Sequence, residues 1–300
     1  MRLTQIRDFV TVVEAGSIRA AARKLGVSQP AITKSVRSLE EELHSRLVQR
    51  TPHGIVPTPR GRAFFARARV AHSELHKAEE ELTQLGSQST GSVAFGVGPV
   101  GALMVVPEAV TSFRRQFPRA RLRIMEGYTH TFLPLVRDET LDFALAVKPD
   151  GKLDSALAFR PLFRLDSVVV ARKGHPLRNA RSLTELPSAE WISLMPPGSP
   201  GGPLECAFSS AGLPAPQQMI RCDSHHVAVA LLAKTDILGI VSTRMLKQPP
   251  ALNFLQRIAV AEKMPSYTVG LVTRLDPPLT PLAAVMAKAM TAVALRVARS

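Results

Sequence analysis

The sequence predicts an N-terminal all-α head with a small β-wing, a long helix leading out of it, and a C-terminal α/β domain. Three observations carry this reading. Short helical stretches are separated by Gly16 and Gly26, a heptad run extends from Phe64 to Leu85, and β-rich and helical stretches alternate from Ser92 onward.

A chain of 300 residues suggests two or three domains, and 45% hydrophobic with 21% charged residues describes a globular protein. The net charge of +14 points to a polyanionic partner or anionic ligands, although surface charge also serves solubility. Two cysteines, Cys206 and Cys222, cannot form a disulfide framework, so a reducing cytoplasm is the expected compartment. Arg2, Arg7 and Asp8 break up any secretory apolar segment. The longest uncharged apolar run, Val93 to Pro107, is interrupted by glycines and prolines and is too short to span a bilayer. The expectation is a soluble cytoplasmic protein with no membrane partner.

Ile6, Phe9, Val10 and Val13 recur at helical spacing and predict a first helix over 4–15. Gly16 ends it, and Ser17 caps a second helix over Arg19–Leu25, where Ala20 to Ala22 favour helix and allow close approach. Gly26 supplies a sharp turn, Ser28 is an N-cap, and Pro30 fits a first helical turn. The third helix has two faces. Ile32, Val36, Leu39 and Leu43 form a buried stripe, while Gln29, Thr33, Lys34 and Arg37 present donors with no acid before Glu40. Any helical hairpin has a polar face, but cap, turn, stripe and acid-free surface together favour insertion into the DNA major groove. Leu47–Gln49 and Ile55–Pro57 read as wing strands around the turn Arg50-Thr51-Pro52-His53-Gly54. Arg46, Arg50 and Arg60 stand where such a wing meets phosphates, and residues 1–60 hold ten basic and five acidic side chains.

Ser17, Ala20-Ala21, Leu25, Val27-Ser28-Gln29-Pro30-Ala31, Ile32, Leu39-Glu40, Leu43, Leu47, Arg50, Thr58 and Gly61 together resemble the winged helix-turn-helix of LysR-type transcriptional regulators. One departure is Val48, where that family carries phenylalanine. The resemblance spans the whole chain. It implies a non-enzymatic, sequence-specific regulator of double-stranded promoter DNA, controlled by a small-molecule inducer, with no cofactor and with RNA polymerase as a further partner. The expected boundaries are 1–58 for the head, 59–91 for the linker helix and hinge, and 92–300 for the effector-binding domain.

Thr58 and Pro59 start the linker helix, and Phe64, Ala68, Ala71, Leu75, Ala78, Leu82 and Leu85 recur at steps of four and three. That seam fits pairing with another helix, or packing of the helix on its own chain. The resemblance implies dimerisation here, with dimers often pairing into tetramers. Gly86 and the run Ser87 to Gly91 make a joint. His72 and His76 stand at i and i+4, but without a third ligand nearby no metal site is expected.

Candidate strands are Val93–Val97, Leu122–Met125, Asp142–Val147, Ser167–Ala171, Ile192–Met195, Met219–Cys222, Ile237–Val241 and Thr268–Thr273, which argue for α/β layers with mainly parallel sheets. The resemblance implies two Rossmann-like subdomains of the periplasmic-binding-protein type II kind. They comprise 92–162 with 267–300, and 163–266, and the chain crosses between them near Pro161–Leu165 and Met264–Thr268. Three loops could meet a ligand at strand ends. They are Gly98-Pro99-Val100-Gly101, entering a helix that runs to Phe117, Tyr128-Thr129-His130-Thr131, and Ser199-Pro200-Gly201-Gly202, leading to a helix closed by Gly212. Helix N-termini with glycines and hydroxyls favour an anion, a carboxylate or sulfonate, although such loops also merely turn the chain. Gly98-Pro99 lacks the hydroxyl that many family members carry in the first loop. Residues 137–145, 175–177 and 212–214 are similar to members regulating para-toluenesulfonate degradation, which favours an aromatic or anionic inducer.

No Gly-x-Ser-x-Gly, P-loop, Cys-x-x-Cys or His-Glu-x-x-His pattern supports an enzyme. His225 and His226 would face opposite ways on a strand and border the cleft rather than form a catalytic pair. Cys206 and Cys222 lack flanking Lys or His, so buried structural thiols are expected rather than a peroxide-sensing pair. A free-standing solute-binding protein is disfavoured by the N-terminal head and the lack of a leader.

Overall fold

The structure, a computed structural model, describes residues 1–52, 54–86, 91–149, 151–186, 188–193, 202–216, 219–249 and 251–299, without the side chains of 73 and 76–86. The wing-tip His53, the joint at 87–90 and the end of the expected strand Ile192–Met195 lie outside the described residues.

The head comprises α1 (Leu3–Ala15), α2 (Ile18–Leu25), α3 (Gln29–Glu42) and a two-stranded wing, β1 (Val48–Thr51) and β2 (Gly54–Pro57). Gly26 adopts φ 67° and its N–H closes the end of α2 on Ala22 and Arg23, which sets the turn into α3. Ser28 caps α3 through its hydroxyl, which accepts the Ala31 N–H at 3.3 Å. Ile6, Phe9, Val10, Ile32, Val36 and Leu39 meet in one core.

The first wing strand starts later than the sequence suggests. Leu47 is buried, its N–H is held by the Glu40 carboxylate at 2.7 Å, and its carbonyl accepts the Thr58 N–H at 3.0 Å. Those bonds tie Leu47 to two helices, so the ladder begins at Val48 opposite Pro57 and continues to Thr51 opposite Gly54. The wing also docks on the first turn of the head, with the Ile55 N–H on the Gly16 carbonyl at 2.8 Å.

Thr58 caps the long helix α4 (Pro59–Gly86), accepting the Gly61 N–H at 2.9 Å. Phe64 and Phe65 of α4 close on Phe9, with ring centroids 5.5 and 6.3 Å away. Ala68 is buried in the same core. The start of the heptad seam is therefore used inside the chain, because the head needs an apolar lid over α1.

The C-terminal region contains β3 (Ser92–Val97), α5 (Pro99–Met104), α6 (Val106–Gln116), β4 (Arg121–Glu126), α7 (Thr129–Arg137), β5 (Phe143–Val147) and β6 (Leu157–Arg172). There follow β7 (Trp191–Ser193), α8 (Pro203–Ser210), β8 (Met219–Arg221), α9 (His225–Lys234), β9 (Leu238–Ser242), α10 (Thr243–Leu246), α11 (Ala251–Phe254), β10 (Leu255–Ile258), β11 (Ser266–Arg274) and α12 (Pro281–Arg299). Among the described residues the strands join in the order β4-β3-β5-β11-β6-β9-β7-β8, with β10 against β6.

Three departures from expectation have local causes. The helix expected from the first loop to Phe117 is two helices, because Pro107 has no N–H to continue the α5 ladder. The sheet is mixed rather than mainly parallel, since β11 runs antiparallel to both β5 and β6, and β6 antiparallel to β9 and β10. Finally, β6 begins ten residues before Ser167, pairing first with β11 (Leu157 to Asp166) and then with β9 from Ser167. It runs through both halves of the domain. By length and composition α12 could cross a membrane, yet Leu282, Met286, Met290 and Val293 are buried in the core with Val93, Phe95 and Phe113.

Gly61→Ala tests the fit of α4 on the wing. A Cβ there would meet the Leu47 carbonyl oxygen at 1.8 Å, and the obstructing atom is backbone. The clash should outweigh the ~1 kcal/mol of helix propensity that alanine brings and cost the head a net ~1–2 kcal/mol. Thermal denaturation should show the head melting several degrees lower.

Candidate functional sites: the groove-reading helix and the cleft

Gln29, Pro30, Thr33, Lys34 and Arg37 share one open surface on α3, opposite its buried stripe. The Thr33 hydroxyl donates to the Gln29 carbonyl at 2.9 Å, so its proton is committed while its oxygen and methyl stay available. Arg37 is shared with Glu41 at 2.8 Å, an exposed i,i+4 pair that a phosphate can displace at little cost. Lys34 is exposed and has no ion pair among the described residues. Arg50 is exposed on β1. Ser28 is spent on capping. Arg46, expected at phosphates, reaches back to Glu40 at 3.3 Å, and Arg60 donates to Ser45 at 3.2 Å.

Glu40 was not singled out as functional from the sequence, yet it joins α3 to the wing. The residue is only 7% exposed and accepts the N–H groups of both Leu47 and Val48. An acid directly after the stripe residue Leu39 was the available signal. Gln5 performs a similar task between helices, donating from α1 to Ser38 and Glu42 at 3.1 and 3.0 Å.

On the linker helix, Phe64 and Ala68 face the head core, Ala71 is exposed and Leu75 is 43% exposed. Ala78, Leu82, Leu85 and His76 lie outside the described side chains.

A cavity of about 390 Å³ opens between the two halves of the C-terminal domain. Gly98, Pro99, Val100, Thr129 and His130 all line it, whereas Ser199, Pro200 and Gly201 lie outside the described residues. The opposite wall comes from β6, β9 and the starts of α8 and α9, through Ser167, Ile240, Leu204 and His225. Most of the lining is apolar, including Phe132, Leu133, Ile192 and Met245. Lys148 carries the only permanent charge among the described lining residues, and none of them is acidic. The Thr129 hydroxyl donates to the Val147 carbonyl at 2.8 Å, which pins the loop rather than offering a free donor.

Two cavity residues have perturbed titration. Burial pushes His225 down to about 4, helped by the adjacent His226, so its imidazole is uncharged at neutral pH. Burial also raises the Tyr128 phenol, reinforced by Glu126, Cys222 and Asp223. His225 and His226 sit at the start of a helix, not on a strand, and only His225 lines the cavity. The two thiols are half-buried rather than buried, because both stand near helix starts at the surface; Cys222 donates to the Ser224 carbonyl at 3.2 Å.

Residues 3–62 match the family described as bacterial regulatory helix-turn-helix protein, lysR family, and residues 86–294 match LysR substrate binding domain. Over 272 residues the chain is 29% identical to the HTH-type transcriptional regulator GalR of Pseudomonas putida, covering 90% of this chain and 68% of that one. It is 27% identical over 288 residues to the SDS degradation transcriptional activation protein of a Pseudomonas species, covering 95% and 94%. Among solved structures, full-length CbnR complexed with its target DNA superposes with a TM-score of 0.69 at 18% identity, covering 98% and 100%. That last likeness is one of fold.

The depressed His225 gives a pH test. Its folded value of about 4 lies below the ordinary histidine range, so the unfolded chain takes up this proton first as pH falls. The stability it contributes is complete above about pH 6.5 and is lost progressively towards pH 4. His225→Gln should flatten that limb of the melting-temperature profile, and an unchanged limb would contradict the buried neutral imidazole.

Proposed function

Given that the chain belongs to the LysR family, as a DNA-binding transcriptional regulator with a substrate-binding domain, we propose that it acts in the cytoplasm as a homo-oligomer whose promoter contacts are set by an apolar, singly anionic inducer. The observation that carries the inducer class is the cleft itself. A mostly apolar cavity of about 390 Å³ with one permanent charge among its described lining residues, Lys148, suits a ligand with an aromatic or alkyl body and one carboxylate, sulfate or sulfonate. One relative is named for SDS degradation, and dodecyl sulfate is an apolar chain with a single anionic head, which supports the same class here.

On the DNA side, Gln29, Pro30, Thr33 and Lys34 enter the major groove with Ser28 capping the helix, while Arg37 and Arg50 hold phosphates. Pairing along α4 uses Ala71, Leu75 and the positions beyond, Ala78 and Leu82. Dimers pair further into tetramers, and the promoter-bound oligomer presents itself to RNA polymerase. The inducer works by binding one angle between the two halves better than another. Its effect is bounded by that differential affinity.

A thermal-shift series of alkyl and aryl carboxylates, sulfates and sulfonates tests the inducer class, because a ligand bound only by the folded state raises stability. Stabilisation by cationic or neutral compounds alone would refute it. Thr33→Ala should relax sequence choice at about one base pair, at a cost of roughly 1–3 kcal/mol on the preferred site. Arg50→Ala should weaken cognate and random duplex alike and lower the log–log salt slope by about 0.9. Both are read by mobility shift on the upstream region at several salt concentrations. Leu75→Glu should lower the oligomer mass in light scattering while leaving the circular-dichroism spectrum unchanged.

A further inference from the structure

Arg69 stands on α4 directly after Ala68, which is buried in the head core against which Phe64 and Phe65 also pack. It belongs to the part of α4 that moves with the head. Its guanidinium nevertheless reaches the effector domain. Nη1 donates to the Thr140 hydroxyl, and Nη2 faces the Asp138 carboxylate at 3.8 Å. Both partners lie on the turn between α7 and β5.

That turn is firmly built. The Asp138 N–H closes α7 on the Pro134 carbonyl at 2.8 Å, and the Leu141 N–H reaches the Leu135 carbonyl at 3.0 Å. Buried Arg274 donates to the Val136 carbonyl at 3.0 Å. Between them Glu139 is buried with φ 59°, a left-handed backbone that a glutamate keeps only where its surroundings impose it. From the turn two elements run to the cleft. α7 is nine residues long, about 13 Å, and its first residues, Thr129 and His130, line the cavity. β5 ends at Val147, which lines it too. Phe132 and Val136 of α7 share a core with Ala144 and Ala146 of β5, so the pair moves as a block. One end of this block walls the cleft, and the other end holds Arg69.

We propose that the contact of Arg69 with Asp138 and Thr140 is a reversible catch between the α7–β5 block and the head. Arg69 is then the positioning residue through which the cleft and the DNA-facing surface are coupled. Both side chains of the ion pair keep some access to solvent, and such a pair biases an equilibrium by roughly two- to fivefold. That sets a preference and still allows release. The inference rests on the reading of the chain as a ligand-controlled promoter binder, and it names the contact that carries the control. Coupling between two sites is reciprocal, so it can be read from the DNA side without any inducer.

The test is amide hydrogen exchange of the full chain, with and without a duplex of its own upstream region. In the wild type the duplex should change exchange in α7 by about two- to fivefold. Arg69→Met keeps a good helix former of similar length but donates nothing. Asp138→Asn with Thr140→Val attacks the same contact from the other side with little change of shape. Both proteins should bind the duplex as the wild type does in mobility shift, while the α7 response disappears. Arg67→Ala removes a neighbouring exposed charge from α4 and should keep the response. A response that survives both catch variants overturns the proposal, as does a wild-type α7 indifferent to bound duplex. Loss of the response in Arg67→Ala as well would mean a general charge effect and would also overturn it. If none of the proteins binds the duplex, the promoter reading fails, and this inference falls with it.

Discussion

The behaviour of the cleft is governed by one strand that its walls share. β6 pairs with β11 as far as Asp166 and with β9 from Ser167, so one uninterrupted strand belongs to both halves. Each half has its own packed core, around Phe95 and Met286 on one side and around Val170 and Leu232 on the other. Close-packed cores resist deformation, so relative motion concentrates in the connecting strands. Within the first half the β6–β11 register slips between Val269 and Gly270, opposite Phe163 and Pro161. Proline donates nothing there, and a side chain at Gly270 would meet the Arg160 carbonyl at 2.3 Å.

The head obeys a parallel rule with a different bond. A buried carboxylate at Glu40 holds the start of the wing against the end of the recognition helix, and its second oxygen recruits Arg46. The paired N–H groups have no solvent to fall back on, so the two elements hold a fixed relation. Helix α3 and the wing thereby behave as one rigid unit.

Legibility followed how local each determinant was. Ser17, Ser28 and Thr58 cap helices through hydrogen bonds spanning three residues, and Gly26 turns the chain by its own dihedral, so each is readable from neighbours alone. The first half of β6 was missed because Arg160, Pro161 and Arg164 interrupt its apolar pattern, and only β11, a hundred residues on in sequence, supplies the ladder. Phe64 and Ala68 carried a true heptad signal, but the sequence could not say that the partner was α1 of the same chain. In the cleft, the loops at Gly98 and Thr129 announced themselves through glycine, proline and hydroxyl chemistry. Lys148 did not, because being the lone charge among the described lining residues is a property of the assembled walls.

The aromatic lock of Phe64 and Phe65 on Phe9 has a mechanical consequence. It makes the head and the first turns of α4 a single stiff body, so the 28-residue helix is a lever about 42 Å long. A tilt of about 10° at its far end would carry the DNA-facing surface roughly 7 Å sideways, about two base-pair steps of duplex. A small rotation at the far end of α4 would thus be amplified into a displacement of the head several times larger than the one at the hinge.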